Sequence, residues 1–215
     1  MPLQPILPTW LAINGANDAS PSYFQDLRLG IPVFAGGLNQ GDYFDLTNKE
    51  AAQASYVTNG TLYCGRFRRV LVDSGATAGN VKTGTIGLMP SLAAVIADGD
   101  PAGKPTENIV TSYDQSLGNA TTVRPVVFLN AITPGNYGFV QELGIATVLG
   151  RATLTNATPS IGDLIVSYTA GVVDDPTQST SLTYALQKLI LGAAIDLPKS
   201  NGLFRIQLNL PVLQE

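Results

Sequence analysis

The chain has no histidine and a single cysteine, Cys64, among its 215 residues. Those two shortages remove whole classes of chemistry. Without histidine there is no Ser-His-Asp or Cys-His relay, no histidine-ligated zinc and no imidazole proton shuttle. One thiol per chain excludes an intrachain disulfide, a CxxC redox pair and a thiolate zinc site within one chain. An enzyme built on this sequence has to run on carboxylates, Lys, Tyr or a hard metal. Charge is scarce too: Asp, Glu, Lys and Arg make up 13% of the residues, against about a quarter in an ordinary globular protein. Much of the surface must be Thr, Ser, Asn, Gln and Gly. Such a surface is weakly protected by charge repulsion, and parts of it are expected to be covered by partner chains. The net charge of −4 argues against a direct nucleic-acid footprint, which needs clustered Lys and Arg.

Long apolar runs are missing as well. No stretch approaches the roughly 20 residues needed to cross a membrane as a helix, so no membrane partner is expected. Met1-Pro-Leu-Gln-Pro-Ile-Leu-Pro8 lacks the basic flank and apolar core of a signal peptide. Asn59-Gly-Thr, Asn119-Ala-Thr and Asn156-Ala-Thr fit the glycosylation sequon, and without a secretory signal they read as loop polarity. The expected place of synthesis is a reducing cytoplasm.

What is present reads as strands. Residues 1–45 hold Pro2, Pro5, Pro8, Pro21 and Pro32 and show no sustained period. The segment therefore reads as an extended arm. It also carries Trp10, Tyr23, Phe24, Phe34, Tyr43 and Phe44, which a solvated linker does not need. Either it lies on another chain's surface or it packs on its own domain. Residues 46–215 read as one β-rich domain, barrel-like over about 126–215. Asn48-Lys-Glu-Ala-Ala-Gln-Ala54 has helical composition. From Thr61 onward the runs are short and β-branched or aromatic: Arg66–Val72, Val126–Leu129, Tyr137–Leu143, Ile145–Leu149 and Asp163–Tyr168. Phe204, Ile206, Leu208 and Leu210 alternate with Arg205, Gln207 and Asn209, the pattern of a strand with one buried and one wet face. Pro90–Ala97 and Leu182–Ile195 fit helix or strand equally well. The fold expected is mainly β, a small barrel or sandwich of short antiparallel strands with at most one or two short helices.

Four groups of residues invite a chemical reading. Val70-Leu-Val-Asp-Ser-Gly-Ala-Thr77 resembles the active-site motif of retropepsin-like aspartic proteases, and Thr147-Val-Leu-Gly-Arg151 resembles that family's apolar pair before Gly-Arg. The resemblance implies Asp73 as a catalytic carboxylate paired across a dimer, with Ser74 hydrogen-bonded to it. The plainer reading is a strand ending in a turn, with Asp73 capping the chain and Gly75 supplying a positive φ. Arg66, Arg68 and Arg69 form the basic cluster. On one face of a strand, Arg66 and Arg68 suit a carboxylate or phosphate, or serve to block stray edge pairing. The acidic pairs Asp42/Asp45, Asp98/Asp100 and Asp174/Asp175 lack the dense ligand spacing of a calcium loop and read as turn residues. Gly36-Gly37 lacks the context of a phosphate loop. No catalytic, metal-binding or cofactor-binding residue is therefore assigned, and no cofactor is expected.

One longer resemblance runs from Ile132 to Pro211. Its pieces, in order, are Pro134-Gly-Asn-Tyr-Gly-Phe-Val-Gln-Glu-Leu-Gly-Ile-Ala-Thr-Val148, Ser160-Ile-Gly-Asp-Leu-Ile-Val166, Gly171-Val-Val173, Gly192-Ala-Ala194 and Gly202-Leu-Phe-Arg-Ile-Gln-Leu-Asn-Leu-Pro211. This order resembles the C-terminal half of bacteriophage head decoration proteins, also called capsid cement proteins. The resemblance implies a small barrel-like unit whose motifs mark tight turns. It also implies a non-enzymatic virion protein that binds the outside of an assembled capsid, with the major capsid protein as partner, as a homotrimer. A retropepsin-like protease using Asp73 is the alternative from another class, and a tail or baseplate protein is a third.

Overall fold

The computed structural model describes residues 64–90, 109–113, 123–176 and 190–208, together with the backbone of 22–23, 38–39 and 43–46. Strands dominate them: β1 (Ser22–Tyr23), β2 (Leu38–Asn39), β3 (Tyr43–Leu46), β4 (Cys64–Val72), β5 (Ile86–Pro90), β6 (Ile109–Ser112), β7 (Val123–Phe128), β8 (Tyr137–Leu149), β9 (Leu164–Ser167), β10 (Val173–Asp174), β11 (Ile190–Ala194) and β12 (Leu203–Leu208). The helical residues among them are two single 3-10 turns, Ala78–Asn80 and Thr169–Gly171. The expectation of a mainly β fold with a barrel is met.

The organising element is β8, thirteen residues long. One of its edges ladders antiparallel with β4 from Tyr137 to Ile145. Its opposite edge takes β7 at Val140 and Gln141, and then β12 from Gly144 to Leu149. β7 continues to β5, β5 to β6, and β6 runs parallel beside β4. The path β4–β6–β5–β7–β8 thus returns to β4 as a closed five-stranded barrel. Closure leaves no raw sheet edge within the ring. From β12 the sheet goes on through β11 and β9 to β10. A single parallel bridge, Gly150 to Val173, brings β10 back beside the end of β8.

Two cores follow from the alternation of side chains. Val70, Val72, Met89, Val110, Val126, Phe128 and Val140 fill the ring. From the other face of β5 and β7, Ile86, Leu88 and Val127 join Ala146, Val148, Ile165, Val173, Leu191, Phe204, Ile206 and Leu208 in the second core. The β5–β7 wall is therefore buried on both faces, and its sequence reads as a nearly unbroken apolar run (Pro125-Val-Val-Phe128). β12 faces the core on one side only. Phe204, Ile206 and Leu208 are buried there, while Leu203 and Gln207 are exposed, as the alternation predicts; Leu210 lies outside the described residues.

Several expectations meet the structure differently. The closed ring is drawn from residues 64–149, earlier in the chain than the barrel-like part expected over about 126–215. The long β8 causes this, because its first half completes a ring before its second half starts the C-terminal sheet. The boundary placed at 45/46 falls inside β3, which pairs with Gly65–Arg68 of β4, while β1 pairs with β2. The rest of 1–45 lies outside the described residues, as do the helical composition at 48–54, residues 91–97 and residues 182–189. Pro90 ends β5, and 190–194 is strand.

Candidate functional site

The Asp-Ser-Gly turn follows β4 directly. The Asp73 N–H donates to the Val110 carbonyl at 2.8 Å, the Gly75 N–H to Asp73 Oδ1 at 3.0 Å and the Ala76 N–H to the Asp73 carbonyl at 2.9 Å. The Asp73 carboxylate thus accepts from its own loop, two residues on, in an Asx turn. Gly75 is not among the glycines with positive φ, so the expected left-handed glycine is corrected. The turn tightens through the carboxylate and needs no left-handed residue. Ser74 is exposed.

The other retropepsin-like piece ends at Gly150 and Arg151, and both close the C-terminal sheet. A Cβ on Gly150 would lie 2.0 Å from the Lys199 carbonyl oxygen, so only glycine lets the two backbones pass. Arg151 Nη1 reaches Asp174 Oδ2 at 2.7 Å, and its guanidinium lies 4.0 Å from the Tyr168 ring centroid, within cation–π range.

Asp174 and Asp175 are not turn residues. Both are buried. Besides Arg151, Asp174 accepts from the Thr155 N–H, the Thr155 hydroxyl and the Asp175 N–H. Asp175 Oδ2 accepts from Asn156 Nδ2 at 3.1 Å, and the same amide reaches Asp163 Oδ2 at 3.2 Å. Burying carboxylates requires such partners, and here the partners span the 151–163 loop. Asn156 itself is 4% exposed, so its sequon marks an interior amide and not loop polarity. The Asp45 backbone lies in β3; the side chains of the other two acidic pairs lie outside the described residues. Among the described residues, no group of three or more acidic or thiol side chains is placed to hold a metal ion.

Of the arginine cluster, Arg68 grips a carboxylate, and the carboxylate is the chain's own. The β4–β8 register shifts between Arg66 (opposite Leu143) and Phe67 (opposite Gln141), leaving Glu142 as the extra residue of a bulge. Gly65 faces Gly144 beside it, and a Cβ on Gly65 would lie 1.8 Å from the Leu143 carbonyl oxygen. The bulge re-aims Glu142 to Arg68, whose Nε and Nη2 donate to it at 2.6 and 3.3 Å; Arg124 Nη1 lies 3.3 Å away. The Glu142 side chain is 3% exposed. Arg69, the next residue, is fully buried, with its guanidinium 5.6 Å from the Tyr137 ring centroid and 5.4 Å from that of Phe139.

Sequence reasoning missed Glu142, Arg124, Asn156 and the Arg151–Asp174 pair. The available signal was a carboxylate inside an apolar strand, Phe139-Val-Gln-Glu-Leu143, which needs a cation or hydrogen-bond donors if it is buried. The arrangement's chemistry is fastening: both charge clusters join elements that backbone ladders leave incompletely joined.

No protein-family model matches this chain, and no curated relative matches it in sequence. Among solved structures it is similar to the head fiber gp8.5 N base of bacteriophage phi29, at a TM-score of 0.37 and 13% identity, over 66% of this chain and 92% of that one. At that score the overlap does not establish a shared fold, and the description "head fiber" stays with the phi29 protein.

Proposed function

We propose that this protein is a structural component of a bacteriophage particle that binds the outside of the assembled capsid as a homotrimer, stabilises it, and has no catalytic role. The observation that supports this reading best is the placement of the pieces resembling head decoration proteins. β8, β9, β10, β11 and β12 come from those pieces and are neighbours in one sheet. The Gly162 turn has φ +94°, and its N–H donates to the Ala194 carbonyl at 2.8 Å. Gly171 has φ +77° and stands where a Cβ would meet the Ile86 carbonyl oxygen at 2.7 Å. Gly162 and Gly171 thus stand at hand-overs between strands, whereas Gly144 and Gly192 stand inside β8 and β11.

The mechanism is linkage. A ligand bound only to the intact shell stabilises that state by mass action, by about 2.7 kcal/mol at a concentration one hundred times its Kd. Purified protein should co-sediment with capsids and raise their disruption temperature; a capsid pellet that holds none of it, at any concentration, sinks the reading. Asp73→Asn should keep capsid binding and should cost the fold about 1 kcal/mol or less, the loss of one local hydrogen bond. Pepstatin-sensitive proteolysis by the wild type, abolished in Asp73→Asn, would transfer the assignment to the aspartic protease class.

A further inference from the structure

Four large aliphatic side chains stand open among the described residues: Ile161 at 69%, Leu197 at 53%, and Leu164 and Leu203 at 44%. The topology gathers them at one end of the C-terminal sheet. Leu203 begins β12 opposite Leu149, the last residue of β8. Leu164 begins β9 opposite Ala193, next to the last residue of β11. Ile161 sits in the turn that Gly162 ties to the Ala194 carbonyl, and Leu197 in the loop joining β11 to β12.

Within this apolar end lies one ion pair. Arg205 donates to Asp196 through Nε at 2.8 Å and Nη2 at 2.7 Å, and the two side chains are 30% and 33% exposed. Lys199 stands close enough to act on the same carboxylate. In a chain with so little charge, an acid and a base are presented side by side among exposed aliphatic groups.

We propose that this end of the sheet is the surface through which copies of this chain pack on one another around a rotation axis. The charges select the occupant. A partner of one sign would be attracted to half of the pair and repelled by the other half. Around a three-fold axis each copy presents Asp196 to the Arg205 of one neighbour and Arg205 to the Asp196 of the other, so the patch closes on copies of itself. Packing the four aliphatic groups together removes apolar surface from water, the usual core of a contact between copies. The inference deepens the capsid-binding reading by naming the assembly surface. Its test needs no capsid: a monomeric chain would remove the trimer together with this surface, whereas capsid binding is read separately by co-sedimentation.

The test is sedimentation equilibrium of the full chain with circular dichroism as the check on folding. Wild type should sediment as an oligomer, and Leu197→Asp/Leu203→Asp should retain its β spectrum while self-associating at least about tenfold more weakly. Asp196→Arg should weaken assembly, and Asp196→Arg/Arg205→Asp, which regenerates the opposite charges within each chain and between copies, should restore it. Ser74→Asp, exposed in the turn after β4 beside the opposite end of β8, should assemble as wild type. A monomeric wild type, an oligomer indifferent to the leucine changes, or a folded double swap that stays dissociated would each overturn the proposal.

Discussion

The ring and the C-terminal sheet are both five-stranded and share β8, yet they are closed by different means. The ring is closed by backbone: each of its strands is laddered to two neighbours. Among the described residues, the C-terminal sheet has ladders between successive strands, and β10 is brought back by the Gly150–Val173 bridge and the Asn156 N–H bond to the Asp175 carbonyl. Where backbone pairing is complete, side chains are left to fill the core. Where it is this narrow, side chains take over, and Arg151, Asp174, Thr155, Asn156 and Asp175 form the clasp. The exception inside the ring is instructive. At the β8 bulge the ladder slips by one residue, and there alone in the described β4–β8 pairing an ion-paired carboxylate is buried. Polar fastening appears where the ladder is broken.

Substitutions can break this contrast, the largest effect first. Ile206→Asp places a carboxylate in the core shared by both units, at a fully buried position, and an unpaired buried charge costs several kcal/mol of the ~5–15 available. The variant should be insoluble or unfolded, whereas Gln207→Asp, one residue away and exposed, should melt like wild type. Equal melting temperatures would show that the inferred inner face is wrong.

Glu142→Ala should come next, at about 3–5 kcal/mol, because it strands Arg68 and Arg124 beside a buried site. Urea unfolding reads it directly, and a loss below ~1 kcal/mol would show that the bulge does not depend on its ion pair.

Asp174→Asn keeps the shape of the clasp and removes its charge, for an expected loss of about 1–3 kcal/mol. The contrast between the two units predicts where the loss appears: amide exchange should accelerate in β9–β10 and stay slow in β4–β8. Uniform acceleration would mean that the sheet and the ring open together.

The smallest effect belongs to Asp196. The hydrogen bond from Arg205 holds its carboxyl below the ordinary value of 3.8. A depressed folded-state pKa contributes stability that is fully present above 3.8 and is lost as the pH falls through the lower folded value. With both side chains about one-third exposed, the contribution should stay under about 1 kcal/mol. NMR titration should find the Asp196 pKa returning toward 3.8 in Arg205→Gln, and an unchanged value would show that the pair is not formed in solution.

The sequence alone determined the class of the fold and the facing of β12, because period-two alternation has one physical meaning when one side is core and the other water. It also set the positions of the Gly162 and Gly171 turns, where a missing side chain is legible as a letter. Tertiary structure alone decided where the barrel closes, since thirteen residues of β8 serve two sheets and nothing local says which neighbour takes which half. It decided that Arg68 holds Glu142, seventy-four residues later, and that Asp174 and Asn156 are interior fasteners instead of loop polarity. A carboxylate or an amide reads the same in a turn and in a core. Its role is fixed by what the fold brings within hydrogen-bonding distance, and that information lies in pairings between distant strands, outside any local window of sequence.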